Sequence, residues 1–368
     1  MTLTLYRVTI YMNDLSKEKV EAMQSDNTIL ITGGLGLIGS YLAKSFHSEG
    51  FNILILDIHS NPLWITKGIK FLSGNVTDKD SWLRALDGVD YVIHLAVYPG
   101  YHQDYSTYIQ VNTASTALLY EVIAENNLPV KKVIVASSQA VYGEGKYRCP
   151  EHGIFYPERR TRENLEQGRW DICCPQDNLP AEVLPSEESD KLEAVSMYGV
   201  SKIAADHTAR LLGYHHNIPT VVIRNSHVIG AHPHMNSLYT GSLSSFVEQV
   251  LKGEPVILNE DGNQLRDLLN IKDLGRAYKL LLKHQFEGCY VINIGARGIR
   301  LKELAEKVCA TAGVPFRTIF KTEPKPWAYR HWVLSHEKIN LELGWRPVYT
   351  IEQGINEYLE AAKKLRIT

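Results

Sequence analysis

The sequence has few cysteines and no long apolar segment. Only 5 of its 368 residues are cysteine, too few and too scattered to form the disulfide framework of a small secreted domain. No apolar run is long enough to cross a bilayer. The first residues, MTLTLYRVTIYM, alternate apolar and polar side chains around Arg7, and no small-residue cleavage site follows, so we do not expect a secretory signal. Together these features predict a cytoplasmic protein.

The chain also lacks a strong bias of charge. Lys and Arg number 39 and Asp and Glu number 41, which gives a net charge of −2 at pH 7. Surfaces that bind nucleic acid or anionic lipid usually carry an excess of basic residues, so we expect neither a nucleic acid nor a membrane as a partner. The apolar content of 44% and the length suit one large globular domain, or two that share an interface.

The most informative feature that is present is a glycine-rich turn near the start of the chain. The run Thr28 to Thr32 is β-branched and apolar, as in a buried parallel strand. Gly33, Gly36 and Gly39 follow it, and the next apolar residues recur at helical spacing. Backbone N–H groups at a helix N-terminus bind a pyrophosphate when no Cβ stands in the way. The pattern therefore predicts a dinucleotide-binding turn.

An acidic residue at the end of the next predicted strand indicates which dinucleotide is bound. Asp57 ends the segment FNILILD, about 20 residues after the glycines. A carboxylate at this place accepts hydrogen bonds from both hydroxyls of the adenosine ribose and repels a 2′-phosphate. We therefore predict NAD rather than NADP.

Predicted strands and helices alternate along most of the chain. Further strands are predicted in KFLSGNV, YVIHLA, KKVIVASS, TVVIRN and YVINIG. Such alternation implies a parallel sheet with helices on both faces. We predict an α/β fold in which residues 27–225 and 265–294 form a Rossmann domain with a doubly wound parallel sheet. Residues 226–264 and 295–368 are predicted to form a smaller α/β substrate-binding domain, with helices over Leu301–Ala312 and Ile351–Lys364.

Two side chains one helical turn apart predict hydride-transfer chemistry. Tyr198 and Lys202 are four residues apart and lie on one helix face. A phenol titrates at about 10, so a tyrosine base needs nearby cations, and Lys202 and an oxidised nicotinamide supply two. Ser138, at the end of KKVIVASS, can hydrogen-bond the same substrate oxygen. The alternatives are a surface tyrosine beside a solvated lysine, or a dinucleotide sensor that has no activity.

The motifs, in this order, resemble those of the extended short-chain dehydrogenase/reductase family, from Thr28 onward. The matching segments are TGGLGLIG, Asp57, HLA, Asn112 in VNTAS, SSQAVYG, YGVSK, RDLLNIKD, NIG and LGWRP. The chain is most similar to nucleotide-sugar epimerases and dehydratases, and among them to the TDP-L-rhamnose 4-epimerase type. The resemblance implies an NAD-dependent 4-epimerase that acts through a transient 4-keto intermediate, with a TDP-deoxysugar such as TDP-L-rhamnose favoured.

The resemblance also implies roles for individual residues. It makes Ser138, Tyr198 and Lys202 the catalytic set. The implied cofactor-binding residues are Gly33, Gly36, Leu37, Ile38, Gly39, Asp57, Asn75, Val76, Leu95, Ala96, Asn112, Tyr198 and Lys202. The implied substrate-binding residues are Ser138, Gln139, His227, Arg266, Lys325 and Arg330. A homodimer is expected from the resemblance alone.

The residues after Ser138 narrow the reaction. Dehydratases of the family place an Asp-Glu pair there and decarboxylases place a glutamate at the second position, whereas this chain has Gln139 and Ala140. Without an acid, dehydration has no general acid at this place. Epimerisation, or simple oxidation and reduction, remains.

The substrate is less firmly indicated, because several positions depart from the family pattern. His227 replaces an asparagine, Lys325 an arginine, Ala328 an acid that commonly holds the nucleotide ribose, and Asn75 an acid near the adenine. Alanine cannot replace a carboxylate as a hydrogen-bond acceptor. A second hypothesis is therefore an NAD-dependent dehydrogenase or reductase whose substrate has no nucleotide.

Arg266 has two interpretations. By resemblance it binds the diphosphate of the substrate, for which a guanidinium fork is well suited. Alternatively it forms a structural ion pair with Asp267 or Asp273.

An insert at residues 143–196 carries two pairs of metal-ligand residues. Cys149 and His152 form a CxxH pair, and Cys174 and Asp177 form a CxxD pair about 20 residues later. The related subgroup resembles CxxH with CxxC. The spacing predicts a zinc site, with Cys173 as an alternative ligand. The zinc would be structural, because the proposed hydride chemistry needs no Lewis acid. The alternative is a loop without metal, in which Trp170 and Ile172 pack on the domain.

Overall fold

The structure, a computed structural model, describes residues 27–59, 65–231, 241–325 and 328–367. The segment in which no secretory signal was expected lies outside the described residues, as do residues 232–240 and 326–327 of the predicted substrate-binding domain. Within the described part, no helix is both long enough and apolar enough to cross a bilayer.

The described chain alternates strands and helices. The strands are β1 (Thr28–Thr32), β2 (Asn52–Asp57), β3 (Lys70–Ser73), β4 (Tyr91–His94), β5 (Lys132–Ala136), β6 (Lys146–Cys149), β7 (Gly153–Phe155), β8 (Glu182–Leu184), β9 (Thr220–Asn225), β10 (His227–Ile229), β11 (Val256–Asn259), β12 (Leu265–Asn270), β13 (Cys289–Ile294), β14 (Gly298–Arg300) and β15 (Thr318–Lys321). The helices are α1 (Leu37–Ser48), α2 (Lys79–Ala85), α3 (Tyr105–Tyr108), α4 (Ser115–Glu125), α5 (Arg162–Glu166), α6 (Met197–His215), α7 (Ser242–Lys252), α8 (Ile271–Lys283), α9 (Leu301–Ala312), α10 (Glu337–Leu343) and α11 (Ile351–Ile367). A π-helical turn (Ile109–Ala114) joins α3 to α4, and a 3₁₀ turn (Gln139–Tyr142) follows β5.

A parallel sheet of 7 strands forms the centre of the molecule, in the order β13-β9-β5-β4-β1-β2-β3. Every pairing within it is parallel. All seven strands were predicted from the sequence, and the predicted α/β class with a doubly wound parallel sheet is confirmed. The strand order reverses between β1 and β4, which opens a crevice at the carboxyl ends of these strands, the usual ligand site of such sheets.

Helices cover both faces of this sheet because its strands are apolar on both sides. Ile29 and Ile31 of β1 pack with α1 and α8 in one core, while Leu30 between them packs with α2, α4 and α6 in another. The period of two along a strand sends neighbouring side chains to opposite faces. Buried side chains on both faces explain why the strand reads as a continuous apolar run.

Smaller sheets lie beyond the central one. β10, β12 and β14 form a three-stranded sheet, and β11 pairs with β15. A separate apolar core joins them to α7, α9 and α11, with Phe246, Leu304 and Ile355 among its fully packed residues. The helices predicted at Leu301–Ala312 and from Ile351 onward are confirmed, and the second continues to Ile367.

The insert has a small antiparallel sheet of its own, in the order β7-β6-β8. Its strands are only three or four residues long, and the sequence analysis did not predict them. Ile172 is buried, as the interpretation of the insert as a packed loop required.

Candidate active site

The glycine turn lies at the crevice between β1 and β4. Gly33 has a φ of +64°, and a Cβ there would lie 2.9 Å from the Cα of Ala96. A Cβ on Gly39, in the first turn of α1, would lie 2.5 Å from the carbonyl oxygen of Gly33. Only glycine fits both places, so the turn brings bare backbone to the N-terminus of α1. Leu37 and Ile38 begin that helix, where the first N–H groups have no partner within the helix.

Asp57 stands beside this turn, at the end of β2. Its carboxylate is buried and accepts the backbone N–H of Leu35 at 3.0 Å and that of His59 at 3.1 Å. Two carboxylate oxygens offer about four lone pairs, so acceptor capacity remains for a ligand. Asn75 lies farther out and is exposed, and its side-chain oxygen accepts the N–H of Thr77 at 3.0 Å. The following Val76 is buried.

A hydrogen-bonded chain that the sequence analysis missed fixes the carboxyl end of β4. The hydroxyl of Thr32 accepts the N–H groups of Leu95 and Ala96, so it donates to Nδ1 of His94 at 2.8 Å. Nε2 of His94 lies 3.1 Å from the hydroxyl of Ser115. Burial lowers the pKa of His94 to about 3, so the ring is neutral at pH 7. Its Nδ1 orients the Thr32 hydroxyl, which in turn holds Leu95 and Ala96 in place.

The three predicted catalytic residues meet at the end of β5. Tyr198 lies in the first turn of α6, whose N-cap Ser196 accepts the N–H of Gly199. Ser138 lies two residues beyond the end of β5, and its side chain is close enough to Tyr198 to lower the pKa of the phenol. Lys202 is buried one turn farther along α6, and its Nζ donates to the carbonyl of Ala136 at 2.7 Å.

The pKa of Tyr198 is shifted in the direction opposite to the one predicted from the sequence. Burial raises the pKa of the Tyr198 phenol above its ordinary value, while the hydrogen bond with Ser138 lowers it. The expectation that Lys202 lowers the pKa of Tyr198 below its ordinary value is therefore wrong for the protein without NAD. Burial also lowers the pKa of Lys202 to about 8, because its ammonium group has a carbonyl and no carboxylate as its hydrogen-bond partner.

Asn112 joins two helices beside this cluster. Its Nδ2 donates to the hydroxyl of Ser201 at 2.9 Å and to the carbonyl of Tyr98 at 3.2 Å, and its Oδ1 accepts the N–H of Tyr98 at 2.7 Å. It lies in the π-helical turn, a local widening that is frequent at functional sites. Ser201 and Tyr98 were not predicted; Ser201 lies inside the YGVSK motif, which is the only sequence signal for it.

Arg266, on β12, contacts carbonyls rather than carboxylates. Its guanidinium donates to the carbonyls of Leu265 (2.8 Å), Tyr329 (3.0 Å) and Arg330 (3.1 Å). Burial lowers its pKa to about 10, which leaves it charged at pH 7. The alternative interpretation as an ion pair with Asp267 or Asp273 is wrong. Asp267 accepts the N–H groups of Ala296 and Leu334, and Asp273 pairs with Arg276 at 2.8 Å.

Arg330 has a different environment. It is fully buried, and its five N–H donors all go to Asp171, Glu260 and Asp261. No donor is left for a diphosphate in this arrangement, which disagrees with the predicted role of Arg330 in substrate binding. Sequence reasoning could not see this, because the three acids are distant along the chain.

The other predicted substrate residues, Lys325, His227 and Gln139, have separate environments. Nζ of Lys325 donates to the side chain of Asn259 at 2.9 Å. Burial lowers the pKa of His227 to about 4, so this side chain is neutral at pH 7. Gln139 is buried beside Ser138, and its Oε1 has no hydrogen-bond partner among the described residues. That unpaired acceptor is a candidate contact for a substrate hydroxyl.

The four predicted metal ligands of the insert come together. Their ligand atoms all lie within 4.8 Å of one another. Sγ of Cys149 lies 3.4 Å from Nδ1 of His152 and 3.3 Å from Oδ2 of Asp177, and Sγ of Cys174 lies 3.4 Å from the same nitrogen. Tetrahedral zinc with bonds of about 2.0–2.3 Å needs ligand atoms about 3.3–3.8 Å apart, and these three distances lie in that range. Cys173 points instead toward the carbonyl of Asp171.

A sequence profile of the NAD dependent epimerase/dehydratase family matches residues 29–162 and 177–295. The chain belongs to this family. The resemblance found in the motifs is therefore confirmed, and the protein is an NAD-dependent enzyme of the epimerase/dehydratase class.

Relatives of this epimerase/dehydratase family member cover nearly its full length. A dTDP-L-rhamnose 4-epimerase of Burkholderia thailandensis is 27% identical over 94% of this chain and 96% of its own. A bifunctional UDP-glucose and UDP-xylose 4-epimerase of Pisum sativum is 25% identical over 92% of this chain and 96% of its own. The solved UDP-glucose 4-epimerase of Thermotoga maritima superposes with a TM-score of 0.77 at 22% identity, over 92% of this chain and 99% of that one.

The residues of this enzyme fit NAD. Gly36, the N-cap of α1, leaves no Cβ in the way of a pyrophosphate at the start of the helix. Gly39 lets the first turn pack closely on the glycine turn, because a Cβ there would lie 2.5 Å from the carbonyl oxygen of Gly33. Asp57 places a carboxylate where an adenosine ribose would lie. Tyr198 and Lys202 lie at the carboxyl end of β5, which is next to β4 on the other side of the crevice. The nicotinamide half would extend toward them.

Proposed function

We propose that the enzyme is an NAD-dependent 4-epimerase of a nucleotide-linked sugar that acts through a transient 4-keto intermediate. The approach of Ser138, Tyr198 and Lys202 to one another at the carboxyl end of β5, on the crevice side of the sheet, carries the proposal. A TDP-deoxysugar such as TDP-L-rhamnose is favoured, since a relative that covers 94% of this chain is named as the epimerase of that sugar.

The catalytic side chains have separate roles in this proposal. NAD supplies the hydride acceptor for the carbon that bears the sugar hydroxyl and the hydride donor for the ketone. Tyr198 takes the proton of that hydroxyl and returns it when the ketone is reduced on its other face. Ser138 hydrogen-bonds the same oxygen and holds it at the phenol. Lys202 supports the negative charge that develops on the phenol.

The neighbours of Ser138 support epimerisation over elimination. Gln139 and Ala140 lie in the 3₁₀ turn after Ser138, and Ala140 donates its N–H to the Ser138 hydroxyl at 3.2 Å. Neither side chain can donate or accept a proton as an acid or base. A sugar ketone formed here would therefore be reduced again rather than dehydrated.

We propose Arg266 as the main contact for the diphosphate. Its guanidinium donates hydrogen bonds to carbonyls, and among the described residues no carboxylate forms an ion pair with it. An arginine in such a place binds phosphate oxygens by charge-assisted hydrogen bonds. Lys325 and His227 are proposed as further contacts.

A screen of sugar nucleotides tests the function. TDP-, UDP- and GDP-sugars are compared for protection against heat, because a ligand that binds only the native state raises apparent stability. The matching substrate is then incubated with the enzyme, and NMR follows the configuration at C4 while absorbance follows NADH. We expect a mixture of C4 epimers without accumulation of NADH.

A second candidate is a dehydrogenase or reductase of the same family that acts on a substrate without a nucleotide. Two features favour it. Acids accept every N–H donor of Arg330, and position 328 has an alanine in place of an acid that could hold a nucleotide ribose. NADH that accumulates in proportion to substrate, with no C4 epimer, would support this candidate and contradict the first.

We propose that the chain has two binding domains. Residues 27–225 and 265–294 bind NAD, and residues 226–264 and 295–368 bind the substrate. The central sheet lies in the first set, since β9 and β13 are both part of it. The separate apolar core around α7, α9 and α11 lies mostly in the second. Arg266, on β12, stands where the two meet.

We propose a homodimer through the outer face of α6. Val200, Leu211 and Tyr214 lie on one face of this helix at 41%, 66% and 76% exposure. Light scattering of Leu211→Glu tests this, with Leu341→Glu as a control on the exposed side of α10. A monomeric mass for the unaltered protein, or an unchanged dimer in Leu211→Glu, would contradict it.

We propose that the insert binds a structural zinc ion through Cys149, His152, Cys174 and Asp177. Three of these side chains fit zinc well, and an aspartate oxygen is an accepted fourth ligand. Metal analysis of Cys174→Ser should show loss of the ion, whereas Cys173→Ser should keep it. Purified protein with no more than a trace of zinc per chain would refute the proposal.

A further inference from the structure

Arg160 connects the insert to the substrate side of the molecule. Its buried guanidinium donates to Oε1 of Glu144 (3.3 Å), Oε1 of Glu260 (2.8 Å) and the carbonyl of Ala328 (2.8 Å). A fourth contact reaches the carbonyl of Trp170, within the insert, at 3.4 Å. One side chain therefore links three separate parts of the chain, and no metal ligand or catalytic residue is among its contacts.

A second link runs in parallel through Arg330. Oδ1 of Asp171, in the insert, lies 2.6 Å from Nη2 of Arg330. Arg330 also contacts Glu260 and Asp261, and its backbone N–H donates to Oε2 of Glu144 at 2.8 Å. Buried ions are costly unless they are paired, and an arrangement this complete fixes the position of each group.

The segment held by these contacts, residues 328–332, in turn holds Arg266. The carbonyls of Tyr329 and Arg330 accept hydrogen bonds from its guanidinium. The backbone of Trp332 is hydrogen-bonded to Leu265 and Asp267, the two neighbours of Arg266 on β12. The Trp332 ring lies 5.4 Å from the guanidinium carbon. A shift of this segment would therefore move or release Arg266.

We propose that Arg160 is a positioning residue for substrate binding: through residues 328–332, the insert holds Arg266 in the orientation that binds a diphosphate. The inference rests on the proposed role of Arg266. Order imposed before the ligand arrives lowers the entropy that binding must overcome, so the contacts of Arg160 act on affinity and not on the hydride step.

The test compares Arg160→Lys with Arg159→Lys. Lysine keeps the buried positive charge beside Glu144 and Glu260, so the fold is retained, but a single ammonium group cannot reproduce the guanidinium fork. Arg159 is the exposed neighbour in the same insert, bonded to the carbonyl of Ala194, and serves as the matched control. Asp171→Asn, which weakens the second link, is a further variant.

Diphosphate affinity, hydrogen exchange, steady-state kinetics and NAD affinity are measured for each variant. Calorimetry with TDP or UDP gives the affinity for a nucleoside diphosphate, and hydrogen exchange of the ligand-free protein reports on the amides of residues 328–332. For Arg160→Lys we expect diphosphate binding to weaken about tenfold, KM to rise with kcat unchanged, and exchange in this segment to increase. NAD affinity and all properties of Arg159→Lys should stay as in the unaltered protein.

The outcomes separate this inference from the proposed function. Unchanged exchange and unchanged diphosphate affinity in Arg160→Lys would overturn the inference. Exchange of residues 328–332 could be faster in Arg160→Lys while even the unaltered protein binds no nucleoside diphosphate. That result would support the role of the insert in holding this segment and refute the proposed substrate class. A drop in kcat with KM unchanged would overturn the positioning role.

Discussion

Tyr198 is the proposed catalytic base, and its surroundings shift the pKa of its phenol in opposite directions. Burial raises the pKa of its phenol and the hydrogen bond with Ser138 lowers it, so the protein alone does not make a phenolate. A bound oxidised nicotinamide adds a positive charge at this place, and the base is expected to form in the complex with the cofactor. The site is thus assembled for proton transfer only when NAD is present.

Replacement of the phenol hydroxyl tests this. Tyr198→Phe should lower turnover about 10²–10⁴-fold, the usual contribution of a positioned acid or base, and leave NAD affinity nearly unchanged. Steady-state rates and a fluorescence titration with NADH measure the two quantities. Tyr105→Phe, at an exposed position of α3, is the control and should behave as the unaltered enzyme. Turnover that survives in Tyr198→Phe would show that another group is the base.

Gly39 is constrained by its contacts rather than by its backbone angles. A Cβ there would lie 2.5 Å from the oxygen of Gly33 and 2.6 Å from the Cα of Gly34, and both are backbone atoms that cannot move aside. We expect Gly39→Ala to lose about 1–3 kcal/mol of unfolding free energy and most NAD binding. Gly36→Ala meets only the Gly33 oxygen at 3.3 Å and should be less destabilised. Urea unfolding compares the two; equal stabilities would contradict this reading of the turn.

Single residues were predicted from the sequence where a local motif carries them. Ser138, Tyr198 and Lys202 lie in short motifs, and the structure brings them together. Arg330 was interpreted as a phosphate ligand, but acids from residues 171, 260 and 261 surround it. Partners so distant along the chain leave no trace in local spacing, and this is why the sequence could not reveal the buried ionic network.

At the scale of elements, the insert divides into a part that the sequence predicts and a part that it does not. The CxxH and CxxD pairs predicted which four side chains would meet. The sheet formed by β6, β7 and β8 was missed, because strands of three or four residues are too short to establish a period of two. The contacts of the insert with residues 328–332 join residues that are distant along the chain, and they could not be predicted either.

The ionic contacts between the insert and the loop after β11 should make stability sensitive to acid. Burial alone would raise the pKa of Asp261, but hydrogen bonds from Arg330 and Asn263 bring it below the ordinary value of 3.8. A carboxyl whose pKa is lowered by folding stabilises the native state above its unfolded pKa, and this stability is lost as the pH falls through and below that value.

Asp261→Asn separates this contribution from the general effect of acid. At pH 7 the variant should lose about 1–3 kcal/mol of unfolding free energy, because a charge-assisted hydrogen bond is removed. The difference from the unaltered protein should shrink as the pH is lowered to about 3, where the carboxylate becomes protonated in the unfolded chain. Urea unfolding at several pH values measures it. A difference that does not depend on pH would contradict an electrostatic origin.

On the scale of the whole molecule, the class of fold was predictable and its smaller sheets were not. Alternation of apolar strands with amphipathic helices predicted the parallel sheet, and every one of its strands was found in the sequence. The order of the strands, with β1 beside β4 at the crevice, follows from connections that no local pattern encodes. The sheets around β11 and β12 were missed because β11 has only four residues, and because Arg266 and Asp267 interrupt the apolar residues of β12.

The central claim is that one molecule of NAD removes a hydride from C4 of a sugar and returns the same hydride to that carbon. Incubation of the enzyme with TDP-L-rhamnose, or with the sugar nucleotide that the screen identifies, deuterated at C4, tests it most directly. NMR and mass spectrometry of the product should show the C4 epimer with its deuterium retained at C4 and no net formation of NADH. Loss of the label to solvent, or its accumulation in reduced cofactor, would contradict the account.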